Sequence, residues 1–335
     1  MSANGGSPDF RSYYGRPIIR EPVWKPEIPW YFFFGGLAGA SSSLAAGARI
    51  AGNDRLARSA LFTAMAGLTV SPILLIKDLG RPARFYNMLR VFKVTSPMSI
   101  GTWIVSAAGA ASGVAAGCEL LDVLPRVKRT AETVAGMLGL PLSTYTAALL
   151  ADTAVPVWHE AHRELPLMFA GGAAASAGAA ATLFTPPEKA GPARRLGLAG
   201  AALELGATVG MERRLGKLLS EPYRVGQASG LAKAAKAMTA TGGALLALAG
   251  RRRPGAVAAG ALLLGGSICA RWAVFKAGFE SARDPKYTVV PQRDRAGRQG
   301  TRVTTHPAAF SASAERPASD ARTHSTDGGS DQRAD

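Results

Sequence analysis

Cysteine and histidine are both scarce in this chain of 335 residues, which has two of the first and four of the second. Two isolated cysteines, Cys118 and Cys269, exclude a disulfide framework and any iron–sulfur cluster held by this chain alone. Transmembrane haem needs axial ligands, usually two imidazoles facing each other across helices. Here His159 and His162 are close neighbours in sequence, and His306 and His324 lie near the end, so no haem is expected. The run His159-Glu160-Ala161-His162 is one residue short of the zinc-helix spacing, and no metal site is expected either. A P-loop and a dinucleotide fingerprint are also missing. Charge is missing over long stretches: residues 165–184 and 237–250 contain none.

Those uncharged stretches approach the ~20 apolar residues that a helix needs to cross a bilayer. The mean hydropathy is only +0.09, because many of the residues are Ala and Gly and a polar tail dilutes the average. Eight spans are expected, over about 28–50, 56–76, 98–121, 133–157, 165–184, 196–211, 231–250 and 256–278. The chain therefore reads as an all-α polytopic membrane protein with membrane lipid as its solvent. The first span opens with Pro29-Trp30-Tyr31-Phe32-Phe33-Phe34, an aromatic belt for one interface. The third carries Gly109, Gly113 and Gly117, a spacing that lets helices approach closely in lipid. Residues 1–26 include Asp9, Arg11, Arg16, Arg20 and Lys25 and have no apolar run, so the first span is expected to act as its own insertion signal. Residues beyond about 292 are polar and expected to be disordered.

The formal net charge is +16, and the tail from Gln292 holds seven basic and six acidic residues, so it supplies only +1. The rest sits at the ends of apolar stretches, where snorkelling and surface anchoring place it. Neither a basic face nor a binding motif points to nucleic acid. Between the second and third spans, Phe85, Met88, Leu89 and Phe92 fall at helical spacing, with Arg84, Arg90 and Lys93 elsewhere around it. That loop, 78–97, reads either as a short helix in the interface plane or as an ordinary amphipathic connection.

Eight crossings bring both termini to one face. Glu27, Trp30, Tyr31, Lys77, Asp78, Arg81, Asp152, Trp158, His159, Glu160 and Glu164 then gather there, all from the first four spans and their connections. Asp152 reads as lying deeper than a helix end requires, and intramembrane acids usually face a cavity or a partner. Glu204 falls inside the sixth span, with Arg271 and Lys276 as possible partners; a structural ion pair is the first reading and a proton carrier the second.

Lys77-Asp78-Leu79-Gly80-Arg81-Pro82-Ala83-Arg84-Phe85, followed by Thr95-Ser96-Pro97-Met98-Ser99-Ile100-Gly101-Thr102-Trp103, resembles the signature of the NrfD/PsrC family. These are haem-free integral-membrane subunits of polysulfide-reductase-type molybdopterin complexes. Tyr13-Tyr14-Gly15-Arg16-Pro17, Pro156-Val157-Trp158 and Ser281-Ala282-Arg283-Asp284-Pro285-Lys286-Tyr287 fit the same pattern. The resemblance covers roughly residues 10–292. It implies two four-helix bundles, 28–160 and 163–280, flanked by extramembrane segments 1–27 and 281–335. It implies a site in the first bundle for menaquinone or another membrane quinone, as exchangeable substrate, near the face where a four-cluster, ferredoxin-like iron–sulfur subunit docks. A molybdopterin catalytic subunit lies beyond that partner. By the same resemblance Tyr145, Trp30, Tyr31 and Glu27 surround the quinone head. Asp78, Asp152, His159, Glu160 and Glu204 are then the proton-transfer candidates, and Lys77, Arg81 and Arg84 face the docked partner, with Arg81 expected to pair with Asp78. The chain carries the quinone site of an oxidoreductase in this reading and not its molybdenum centre. A secondary transporter and a purely structural anchor are the rival readings.

Overall fold

A computed structural model describes residues 18–81 and 83–303. The motif at 13–17, Pro82, His306, His324 and the rest of the tail lie outside the described residues. Every regular element among the described residues is a helix: α1 (Glu27–Ile50), α2 (Asp54–Asp78), α3 (Arg84–Arg90), α4 (Pro97–Leu121), α5 (Pro125–Ala151), α6 (Pro156–Glu160), α7 (Leu165–Phe184), α8 (Gly191–Leu219), a 3-10 turn (Glu221–Tyr223), α9 (Gly226–Ala249), α10 (Arg253–Arg283) and α11 (Lys286–Val303). Five of them, α2, α4, α5, α7 and α10, are both long and apolar enough to cross a membrane. Three other helices, α1, α8 and α9, are as long. Their apolar character is diluted, by Trp, Tyr, Gly and Ser in α1, by charge in α8, and by Lys233 and Lys236 in α9.

Local chemistry sets the boundaries. The Asn53 side chain accepts from Leu56 N and caps α2, while Ser96 accepts from Ser99 N and Pro97 opens α4. The fourth expected span, drawn to Val157, stops at Ala151. Thr153 Oγ1 donates to Leu150 O there, and Pro156 begins a separate short helix. The 78–97 connection does contain a helix, α3, with Phe85, Met88 and Leu89 half-buried on it; Phe92 lies past its end and is exposed. α11 continues through Gln292, where the sequence suggests that order ends, because Arg, Ala and Gln there are good helix formers. The described residues from Pro291 to Val303 belong to a separate unit.

α1 packs against α2 and α5, and α4 packs against the same two helices. α7 packs against α8 and α10, and α9 against the same two. α1 also runs along α7 and α10, which joins the two sets. Close backbone approach holds α1 to α5: a Cβ on Gly39 would lie 2.6 Å from Gly139 O. The row Gly109, Gly113 and Gly117 behaves otherwise than expected, since nothing lies within 4 Å of a Cβ at any of them. That row faces outward from the chain.

At the end of the bundle where α1 finishes, a charged clasp joins four helices. Arg49 donates from Nε and Nη2 to Glu132 at 2.9 and 2.8 Å, from Nη2 to Glu119 at 2.9 Å, and from Nη1 to Asp54 at 2.7 Å. Arg58 and Lys128 add bonds to Glu119. Glu119 and Glu132 are buried, so the geometry has to offset their desolvation. At the opposite end, Trp158 on α6 is fully buried and donates from Nε1 to Val274 O at 2.8 Å. A Cβ on Gly278 would come within 1.9 Å of its ring, so α10 can meet the indole only with glycine there.

Three outcomes follow for stability in mixed micelles. Arg49→Met leaves Glu132 buried without its cation and costs about 3–5 kcal/mol, whereas Arg49→Met with Glu132→Leu recovers most of that loss in a double-mutant cycle. Gly278→Ala costs about 1–3 kcal/mol by overpacking against Trp158, read as a lower unfolding midpoint. The Arg214 guanidinium beside Glu164 holds that carboxyl below its usual range. A lowered carboxylate pKa gives stability that is complete above the unfolded value of about 4.3 and disappears as pH falls through the lower folded value. Glu164→Gln therefore flattens the acid side of the midpoint-versus-pH curve.

Candidate functional site

The start of α1, the end of α2, the start of α4 and the end of α5 meet at one end of the body. The segment preceding α1 folds over them. Arg283 Nε donates to Glu21 at 2.9 Å, and Lys25 N donates to Asp78 Oδ1 at 3.0 Å. These bonds bring Trp24 onto Trp158, stacked at 5.4 Å between centroids. Beneath this cover lies a cavity of about 50 Å³, lined by Trp24, Tyr31, Phe32, Asp78, Thr102, Tyr145 and flanking apolar side chains that include Met88 and Met98.

Tyr145 is the centre of the cavity's chemistry. It sits on α5, six residues after Gly139, and its ring lies edge-on to Tyr31 at 6.4 Å. Its other face rests on α4, where a Cβ at Gly101 would fall 2.2 Å from the ring. Its hydroxyl is buried and has no hydrogen-bond partner among the described residues. Burying a hydroxyl unpaired costs free energy, so an orphaned donor beside a cavity marks a place for a ligand or water. Asp78 adds a carboxylate to the same cavity, held by the Lys25 backbone.

The other expected site residues divide around this cavity. Tyr31 lines it. Trp30 does not: it is turned toward α10, packing on Phe34 and Trp272, because adjacent residues on a helix point about 100° apart. Trp24, ahead of the helix, takes the aromatic place at the cavity. Glu27 is also outside the lining and pairs with Lys77 at 3.1 Å. Arg81 and Arg84 are exposed, and the bond to Asp78 comes from Lys25 N rather than from the expected Arg81 pair. Asp152 is exposed at the end of α5, not deep in the bundle, because the helix stops at Ala151. His159 and His162 are exposed, with their Nδ1 atoms near Ala151 O and His159 O. Glu160 is half-buried, and its carbonyl accepts from Arg214.

Glu204 lies elsewhere, buried in the α7–α10 set. Its Oε1 is 3.9 Å from Arg271 Nη1, and Thr239 donates to its Oε2 at 3.4 Å. Arg271 also donates to Phe169 O at 2.9 Å and stacks 4.0 Å over the Phe169 ring. Lys276 is instead near Trp272. The expected ion pair is thus the one with Arg271. Trp24, Thr102, Met88 and Met98 line the cavity without having been expected to. Met98 and Thr102 belong to the Ser96–Trp103 motif and Met88 to the amphipathic 78–97 loop, so only Trp24 had no signal in the sequence.

The family model described as polysulphide reductase, NrfD, matches residues 19–187, which is half of the chain. The matched region runs from the segment before α1 to just past α7 and includes every residue that lines the cavity. Comparison with curated proteins gives no match. With this span of matched sequence and its helical apolar build, the chain belongs to the NrfD family of polysulphide-reductase-type membrane subunits.

Proposed function

We propose that the chain is the quinone-reactive membrane subunit of a molybdopterin oxidoreductase complex of the polysulfide reductase or formate dehydrogenase type. It crosses the cell membrane eight times as two four-helix bundles, and the Tyr145 cavity receives the quinone head. The buried, unpartnered Tyr145 hydroxyl is the observation that carries this reading. The eight long helices and the two sets of mutually packed neighbours support the bundle arrangement.

The exchanged menaquinone or related quinone supplies two-electron, two-proton chemistry at its carbonyl oxygens. Tyr145 Oη is placed to donate a hydrogen bond to such an oxygen, which gains basicity on reduction. Asp78 holds a proton at the cavity edge, fixed by Lys25 N. Tyr31, Phe32 and Trp24 pack the ring and exclude water. As packed, the cavity has room for a few waters. Entry of a six-membered ring therefore requires Met88 and Met98 to rotate, which unbranched thioethers do at low cost.

Above the cavity, exposed Tyr86, Val91, Phe92 and Val94 are interleaved with exposed Arg81, Arg84, Arg90 and Lys93. Lys77 belongs to the same rim. Mixed aromatic and basic surface of this kind suits docking of the iron–sulfur subunit, with the molybdopterin subunit beyond it. Asp152, His159 and Glu160 share the face and serve as outer proton carriers. Glu204, enclosed with Arg271 away from the cavity, acts in structure first, as a paired acid.

Tyr145→Phe keeps the ring against Gly101 and removes only the hydroxyl. In the assembled complex it lowers quinol turnover about 10- to 100-fold, as loss of a hydrogen bond to a charge-bearing oxygen does. Gly101→Ala, which drives the ring from its seat, lowers turnover in parallel. Unchanged turnover in Tyr145→Phe with intact assembly overturns the reading and leaves an anchor; substrate uptake by the chain in liposomes favours a transporter.

A further inference from the structure

A second and larger cleft, about 870 Å³, opens between α1, α2, α7 and α10. Its walls are apolar: Phe33 and Phe34 from α1, Phe62 from α2, Phe184 from α7, and Leu264 and Ile268 from α10. Its mouth is basic, formed by Arg55 and Arg58 on the first turns of α2. From Arg55 to Gly67, both of which line it, α2 rises about 18 Å. Half of a bilayer core is about 15 Å. The cleft therefore has the depth of one leaflet, with its cations at headgroup level.

We infer that this cleft is a binding site for one anionic glycerophospholipid. Its phosphate engages Arg55 and Arg58, and its acyl chain fills the seam between the two helix sets. Several observations carry this. The Arg55 side chain is exposed, and its guanidinium has no hydrogen-bond or ion-pair partner among the described residues, although its carbonyl accepts from Ser59. Arg58 gives only Nε to Glu119, at 2.6 Å, so its terminal nitrogens remain to bind an anion. Two adjacent guanidinium groups suit a phosphate, and basic pockets between transmembrane helices take anionic headgroups. A neutral quinone head gains nothing from two cations, and this mouth lies at the end of α2 opposite Asp78 and the Tyr145 cavity. Ser59 strengthens the mouth by donating to Phe184 O, which ties α2 to the end of α7. The lipid completes a seam that the protein's own side chains leave open, so it stabilises the joined body.

The test uses the complex containing the full chain, extracted in mild detergent, delipidated and titrated with phosphatidylglycerol, phosphatidylcholine or menaquinone. Native mass spectrometry counts bound molecules, and the unfolding midpoint reads stability. The expected result is one phosphatidylglycerol per chain, a raised midpoint, and little retention of phosphatidylcholine. Arg55→Gln, a surface change that leaves folding intact, weakens retention roughly fivefold, the effect of one cation near an anionic headgroup. Ala66→Phe, which fills the cleft from α2, abolishes retention. Equal binding of phosphatidylcholine, displacement of the lipid by menaquinone, or unchanged retention in both variants overturns the assignment.

Discussion

Backbone contact between α1 and α5 sets the geometry of the first four long helices. Gly39 and Gly139 approach so closely that a side chain on either would meet the other's carbonyl oxygen. Lipid offers no hydrophobic force between helices, so such contact, with interhelical polar bonds, must hold the helices together. It also fixes register. Counting six residues beyond Gly139 reaches Tyr145, and eight back from Gly39 reaches Tyr31. Two antiparallel helices locked at the glycines therefore bring those two rings edge to face.

The two ends of this bundle solve different problems. At one end Arg49, Glu119 and Glu132 form a buried network whose members are paired several times over. Within this network the buried polar groups are spent on one another. The other end keeps polar groups in reserve: the Tyr145 hydroxyl is unpaired, and Asp78 is tied by a single backbone bond. Reserve of that kind costs stability, and the cost is offset by aromatic packing of Trp24, Trp158 and Phe32 around it. Ser41, Ser71, Ser112 and Thr146 of the same helices also bury unpartnered hydroxyls, but of these five only Tyr145 lines the cavity.

The two cavities differ in the same physical terms. The Tyr145 cavity is small and combines a buried donor with a carboxylate. The larger cleft has apolar walls and presents basic groups only at its mouth. One matches a polar reacting head, the other an amphiphile with a fixed negative charge. Glu204 and Arg271 belong to neither, enclosed among α7, α8, α9 and α10.

The all-helical, membrane-embedded character was legible in the sequence, because uncharged stretches of spanning length have few other uses. Asp78 was placed at the right face by the parity of the crossings, Tyr145 only through the motif resemblance, and the structure brings both to one cavity. Trp30, Glu27 and Asp152 could be placed at the correct end but not given a direction, since rotation about a helix axis and the stop at Ala151 depend on packing and on Thr153 and Pro156. The row of glycines on α4 shows the same limit. Its spacing permits close approach, yet only the tertiary structure decided that Gly39 and Gly139 make that approach while Gly109, Gly113 and Gly117 face outward. Sequence by itself determined which residues prefer lipid. Which helix faces meet was decided by the fold, because spacing records a helix's stripes without naming the neighbour each will touch.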